Sequence, residues 1–150
     1  MKVFILCGGH GTRLDNLGKI IAKPMARISK EPILLHIIEN FLVQGFNEFV
    51  ICTGHKSETI NNFFLKEKKK YIKVLKKSKN HISLQANLKS KYFKCDIIFT
   101  GTSSGTGGRI KIAYNKLKLK DDIIMTYGDG LSNVNINKLI DFHYKNKALV

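Results

Sequence analysis

Val3-Phe4-Ile5-Leu6-Cys7-Gly8-Gly9-His10-Gly11-Thr12-Arg13-Leu14 is the stretch from which the rest of the chain is read. An unbroken apolar run as short as Val3 to Cys7 predicts a buried strand, and Gly8, Gly9 and Gly11 predict a tight turn at its end. Backbone N–H groups in such a turn can converge on phosphate oxygens, and Arg13 adds a fixed cationic fork. The dinucleotide fingerprint fails, because Leu14 stands where its third glycine belongs, and no Gly-Lys-Ser/Thr follows to make a P-loop. A glycine turn needed only for close packing is the alternative at this point.

Beyond that strand, Pro32 opens a helix whose Ile33, Leu34, Ile37, Ile38, Phe41 and Leu42 form one apolar stripe, ended by Gly45. Phe49 to Cys52 predicts a second strand, followed by Thr53-Gly54 and a helix from Glu58 to Lys70. Strand, loop and helix twice over predict an α/β fold, a Rossmann-like, mostly parallel sheet flanked by helices. Tyr71 to Leu75 and Ile82 to Leu88 predict strands joined by a lysine-rich loop. Asp96 to Thr100 predicts another strand, and Ile110, Ala113, Tyr114 and Leu117 recur with helical period in a helix from Gly107 to Leu117. Asp122 to Tyr127 is a further strand, and Asn135 to Lys145 a helix with Ile136, Leu139, Ile140 and Tyr144 on one side. Ala148 to Val150 reads as the start of one more strand.

The 150 residues suffice for one compact core, so 1–150 is expected to be a single unit. A net charge of +15 favours polyanions, which include nucleic acid, phosphorylated ligands and anionic membranes. Of the 26 basic residues 23 are lysine, with arginine only at Arg13, Arg27 and Arg109, so the residue type best suited to fixed phosphate or base contacts is scarce. The lysines from Lys66 to Lys79 read as a solvated face, and the aromatics there, Phe63, Phe64 and Tyr71, fit core positions. With no zinc-finger spacing or RNP-like motif, nucleic-acid binding is the weakest reading. Cys7, Cys52 and Cys95 fit buried thiols of an intracellular protein. Neither a signal peptide nor a membrane span is expected, which implies a cytoplasmic protein without membrane partners.

Three further stretches carry candidate chemistry. Lys23-Pro24-Met25 can hold a lysine in one direction, because proline restrains the preceding residue to extended geometry, and such a lysine can neutralise charge on a transferring phosphoryl group. Gly128-Asp129-Gly130 sets a carboxylate at the end of a strand, where open α/β sheets place ligands; a second carboxylate or substrate phosphates must complete a magnesium shell there. Gly101 to Arg109 is rich in small residues against which a flat base can lie, with Thr106 as a candidate helix cap. An ordinary surface lysine, an Asp-Gly turn and a purely structural cap are the respective alternatives. His10, His36 and His55 show no zinc spacing.

Taken in order, Cys7 to Leu14, Lys23-Pro24-Met25, Pro32-Ile33-Leu34, Thr106-Gly107-Gly108-Arg109 and Tyr127-Gly128-Asp129-Gly130 resemble the sugar-phosphate nucleotidyltransferases. The Thr-Gly-Gly-Arg and Tyr-Gly-Asp-Gly motifs and Ile51 to Lys56 are most similar to the glucose-1-phosphate cytidylyltransferase branch. The resemblance implies a nucleotide-diphospho-sugar transferase fold, the substrates CTP and a sugar 1-phosphate, pyrophosphate release and Mg2+ as cofactor. It implies that Gly8, Gly9, Gly11 and Thr12 cradle the triphosphate, while Arg13 and Lys23 stabilise charge at the α-phosphate and leaving group. It further places Thr106, Gly107 and Gly108 by the cytosine, Arg109 shaping that loop, and Asp129 on magnesium.

The chain departs from the family pattern where Ile21-Ala22 replaces a first Lys-Pro pair, where Ser29-Lys30-Glu31 precedes Pro32, and around Asn16 and Leu17, where an acidic pair is missing. Family members are longer, so the expectation is an N-terminal nucleotide-binding portion lacking the sugar-contacting part, another phosphate lysine and a second metal aspartate. Three readings follow. The chain is a cytidylyltransferase or a truncated copy of one; it is a nucleotide-binding or partner-binding protein without turnover, in a homo-oligomer or with a separately encoded second half; or it binds nucleic acid.

Overall fold

Two uninterrupted apolar runs, one at Val3 to Cys7 and one at Phe49 to Cys52, lie side by side within the sheet and are buried throughout. The computed structural model describes residues 1–9, 21–66 and 72–146. In chain order the elements are β1 (Lys2–Cys7), a 3-10 turn (Lys23–Met25), the short pair β2 (Arg27–Ile28) and β3 (Glu31–Pro32), α1 (Ile33–Val43), β4 (Glu48–Thr53) and α2 (Ser57–Lys66). They continue with β5 (Lys73–Ser78), β6 (His81–Leu88), β7 (Lys91–Phe99), α3 (Thr106–Lys116), β8 (Ile123–Tyr127) and α4 (Ile136–Lys145).

The main sheet has six strands in the order β5-β6-β7-β4-β1-β8. β7, β4, β1 and β8 pair in parallel, with Ile5 opposite Ile51 on one side and Thr126 on the other. β5, β6 and β7 form an antiparallel meander, so β6 alone runs against the rest. Helices cover both faces, as a parallel sheet requires. One face carries Val3, Ile5, Phe49, Ile51 and Ile97 against Leu34, Ile38 and Phe41 of α1, Ile60, Phe63 and Phe64 of α2, and Ile136 of α4. The other carries Phe4, Leu6, Val50 and Ile98 against Ile110, Ala113 and Tyr114 of α3. Leu34 and Ile38 are wholly buried, each contributing about 1.5–3 kcal/mol by leaving water. Phe49 and Phe93 meet edge to face at 5.7 Å across the sheet surface. Helix α1 stops where Gly45 takes φ +95, its N–H capping Leu42 O at 3.2 Å.

The predicted α/β architecture is the observed one, with three differences in detail. The lysine-rich loop is a strand: β5 runs to Ser78 and turns at Lys79-Asn80. The continuous charge hid it, because every residue of this edge strand is exposed. β7 begins at Lys91 instead of Asp96, since only Phe93, Cys95 and Ile97 face inward in its first half and the outward lysines break the apolar run. In α4, Ile136 is buried and Ile140 packs on the core, whereas Leu139 and Tyr144 are exposed. Glu67 to Tyr71 and Ala148 to Val150, where the end of a helix and the start of a strand were expected, lie outside the described residues.

The charge run thus has a structural use. Lys73, Lys76 and Lys77 stud the outer edge of the sheet, and lysines on an edge strand oppose pairing with another chain. Replacing Lys76 and Lys77 by valine is expected to change unfolding free energy by about 1 kcal/mol or less while promoting self-association, read by light scattering against protein concentration.

Cys7, Cys52 and Cys95 are free and buried, as expected. Burial pushes the Cys52 thiol up to about 12, with Arg109 pulling the other way, and burial first of all holds Cys7 and Cys95 well above the usual thiol range. The unfolded chain ionises its thiols at the ordinary value of 9.0, so the stability associated with keeping them neutral is fully present below that pH and is lost as pH rises toward 12. At about pH 8 a thiol reagent is expected to label the cysteines only after urea unfolding, and the urea midpoint is expected to fall progressively above pH 9.0.

Candidate functional site

β1, β4, β7 and β8 are parallel, so their carboxyl ends emerge on one side of the sheet. Each is followed at once, or after one residue, by a glycine: Gly8, Gly54, Gly101 and Gly128. This is the rim on which open α/β sheets bind ligands.

Arg109, in the first turn of α3 and 5% exposed, ties the strand ends together. Its Nη1 donates to Gly101 O at 2.7 Å, Thr100 Oγ1 at 3.0 Å and Thr53 O at 3.2 Å, and its Nη2 donates to Gly8 O at 2.8 Å and Thr102 O at 3.3 Å. Burial lowers its pKa, while the thiols of Cys52 and Cys7 act in the opposite direction. The guanidinium so fills this space that a Cβ on Gly8 would lie 2.1 Å from Nη1. A Cβ on Gly54 would lie 2.6 Å from Gly101 O and 2.9 Å from Gly8 O, both main-chain atoms that cannot swing aside. Arg109 therefore shapes the 101–106 loop, as expected from the sequence, and also holds the turns after β1 and β4.

Lys23 reaches the same rim from the 3-10 turn, between buried Ala22 and buried Pro24. The extended residue is Ala22 (φ −65, ψ 139), one position earlier than the restraint of Pro24 on Lys23 predicts. Gly128 is needed here because a Cβ would sit 2.7 Å from Pro24 Cγ and 2.6 Å from Cys7 Sγ. That close packing brings Lys23 Nζ onto the carboxylate of Asp129, with both side chains about one-third exposed.

Of the expected residues, Gly8, Gly9, Lys23, Thr106 and Asp129 line a cleft of about 340 Å³, whose walls also include Ser104, Arg109 and Tyr127. Gly107 and Gly108 follow Thr106 in the first turn of α3, exposed, but do not line the cleft. Thr106 does not cap the helix; Gly105 holds the cap position without a side-chain bond. Gly11, Thr12 and Arg13 lie outside the described residues. Among the described residues a Cβ on Gly9 would meet nothing within 4 Å, which leaves room on that side for a group to approach its backbone. Sequence reading took Ser104 only as one of the small residues of 101–109 and missed both the bond its Oγ donates to Thr100 O at 2.5 Å and the packing role of Gly54; the legible signal was a glycine after every parallel strand. Among the described residues, no three His, Cys, Asp or Glu side chains cluster to hold a metal, and Asp129 is the carboxylate that lines the cleft.

The sequence model of the nucleotidyl transferase family matches residues 2–150. The chain belongs to this family. It is 36% identical over 144 residues to a Bacillus subtilis (strain 168) protein named "Probable glucose-1-phosphate cytidylyltransferase", covering 95% of this chain and 56% of that one. It is 35% identical to the glucose-1-phosphate cytidylyltransferase of Salmonella typhimurium, with the same two coverages. Among solved structures it is similar to HddC from Yersinia pseudotuberculosis complexed with GMP-PN, at 26% identity and TM-score 0.66, covering 95% of this chain and 53% of that one. The chain therefore spans about half the length of these relatives. No helix among its described residues is long and apolar enough to cross a membrane.

If Arg109 holds the rim, Arg109→Met should lower the urea unfolding free energy by about 2–4 kcal/mol, since several carbonyls lose a charged donor at once. Gly54→Ala should also destabilise, and a variant as stable as the parent would show that the rim does not depend on this packing.

Proposed function

We propose that the chain is the nucleotide-binding portion, residues 1–150, of a cytoplasmic cytidylyltransferase acting on CTP and a sugar 1-phosphate, glucose 1-phosphate in the first instance. The supporting observation is the convergence of the Gly8-Gly9 turn, Lys23, Asp129 and Thr106 on one cleft at the carboxyl ends of parallel strands. The preference for cytosine and glucose is drawn from the names of the Bacillus and Salmonella relatives.

In this reading an oxygen of the sugar phosphate attacks the α-phosphorus of CTP, the bond from that phosphorus to the β-phosphate bridging oxygen breaks, and pyrophosphate leaves. Such an in-line displacement needs positioning and charge stabilisation, with no protein nucleophile. Gly8, Gly9, Gly11 and Thr12 hold the triphosphate through the turn. Arg13 and Lys23 offset charge on the α-phosphate and the leaving group. Thr106, Gly107 and Gly108 bound the base. Mg2+ fits the donor chemistry, since one carboxylate facing a cleft is enough when phosphate oxygens and water complete the shell; when bound it neutralises phosphate charge. Asp129 would hold it, and Lys23 faces the same cleft as a cation for the phosphates.

A second reading, nucleotide binding without turnover, is favoured by the cleft itself, where among the described residues Asp129 is the one lining carboxylate and is paired with Lys23. Calorimetric titration separates these readings. In Mg2+ the folded chain is expected to bind CTP about tenfold or more tighter than ATP or GTP. Gly9→Ala is expected to fold normally, because its Cβ meets nothing within 4 Å among the described residues, yet lose about tenfold in CTP affinity, and Asp129→Ala is expected to abolish the Mg2+ dependence. Preference for GTP, or no binding by the folded chain, overturns the cytidylyl reading. Binding without pyrophosphate release on adding glucose 1-phosphate supports the second one.

A further inference from the structure

A lysine that meets a phosphate has to be held in one direction, and the turn carrying Lys23 is restrained from both sides. After Lys23, Pro24 is pressed against Gly128. Before it, the turn begins at Ala22, 3% exposed, with φ −65 and ψ 139. That φ is the angle a proline ring imposes, and Ala22 stands where the family pattern has the proline of a first Lys-Pro pair. Alanine has no ring to fix the angle, and it carries an N–H that needs a partner when buried.

Thr59, in the first turn of α2, meets both needs. Its Oγ1 accepts from Ala22 N–H at 3.2 Å. The same hydroxyl donates its one hydrogen to Lys56 O at 2.8 Å, which leaves the oxygen free to accept from Ala22. Lys56 O also accepts from Thr59 N–H at 3.0 Å, and Lys56 itself takes φ 56, a left-handed angle uncommon for a residue with a side chain. Further back, Ser57 N–H bonds Gly54 O at 3.1 Å and Thr53 O accepts from Arg109. On the other side, Ala22 O accepts from Met25 N–H at 2.8 Å, so the orientation of Ala22 passes directly into the turn. Short stretches of backbone and hydrogen bonds thus lead from the Arg109 guanidinium through the start of α2 to Lys23.

We infer that Thr59 is a positioning residue for Lys23: its hydroxyl holds Ala22 at the angle a proline would impose, and so fixes the turn that sets the Lys23 ammonium in the cleft. Thr59 bears on function through the proposed role of Lys23 at the phosphates, on which this assignment rests. What it does to Lys23 itself is measurable without any nucleotide. The hydroxyl matters only while position 22 has an N–H and lacks a ring, and a purely structural threonine would show no such dependence.

The test compares Thr59→Val, Thr59→Ser and the double substitution Ala22→Pro with Thr59→Val in the full chain. Without nucleotide, acylation of the Lys23 amine is followed by mass spectrometry against that of Lys76 on the exposed strand β5. Thr59→Val is expected to speed labelling of Lys23 about threefold or more as its ion pair with Asp129 loosens, with Lys76 unchanged. Thr59→Ser keeps the hydroxyl, and the double substitution restores the angle while removing the N–H; each is expected to return the parent rate. In Mg2+, CTP affinity is expected to follow the same order, falling about tenfold in Thr59→Val alone. Hydrogen exchange at the Ala22 amide of the parent gives a reading that no variant is needed for: it is expected to be slow, and exchange at the rate of an unfolded chain overturns the assignment. So does unaltered Lys23 labelling in a Thr59→Val chain that melts as the parent does, or a change just as large in the double substitution. A folded parent that binds no CTP overturns the nucleotide reading alone, since labelling and exchange still decide the role of Thr59.

Discussion

The buried guanidinium of Arg109 is the constraint on which the rim depends. A charge removed from water needs compensation, and among the described residues Arg109 receives it from four main-chain carbonyls and a threonine hydroxyl, without a carboxylate. These oxygens belong to the last residue of β4 and to the segments following β1 and β7, so one side chain from α3 sets the spacing of three strand ends. A lysine ammonium has three donors on a single nitrogen and cannot span that set. The glycines at 8 and 54 follow from the same requirement, since they leave the volume that the guanidinium fills.

Charge within the cleft and charge on the whole molecule are different matters. Lys23 and Asp129 neutralise each other at the rim, whereas much of the net charge of +15 lies elsewhere, including the three lysines of β5. The overall field can attract any polyanion, but selection among anions must come from fixed groups in the cleft. The pairing of Lys23 with Asp129 also keeps two ionisable groups in place before a ligand arrives, through Pro24 pressed against Gly128.

The centre of the sheet was legible because strands covered on both faces are uniformly apolar, as β1 and β4 are, and because α1 carries an uninterrupted stripe. β5 and the first half of β7 were hidden for the opposite reason: exposed on one or both faces, they are coded by pairing with neighbours more than by composition. The site was legible as motifs, and Gly8, Gly9, Lys23, Thr106 and Asp129 do come together. That Lys23 and Asp129 touch could not be read, since it depends on a proline and a glycine far apart in sequence meeting across the rim.

The register of the sheet has a kinetic consequence. β5, β6 and β7 are joined by two-residue turns, the second at Lys89-Ser90 with φ 47 and 66, so their contacts are local and can form early. β1, the first strand of the chain, must find Phe49 on one side and, across most of the sequence, Ile124 on the other. Closing that long loop costs more entropy than closing a hairpin. By loop-closure entropy alone, the lysine-lined meander is the cheapest part of the sheet to form and the pairing that sets the strand leading to Asp129 beside β1 is the costliest.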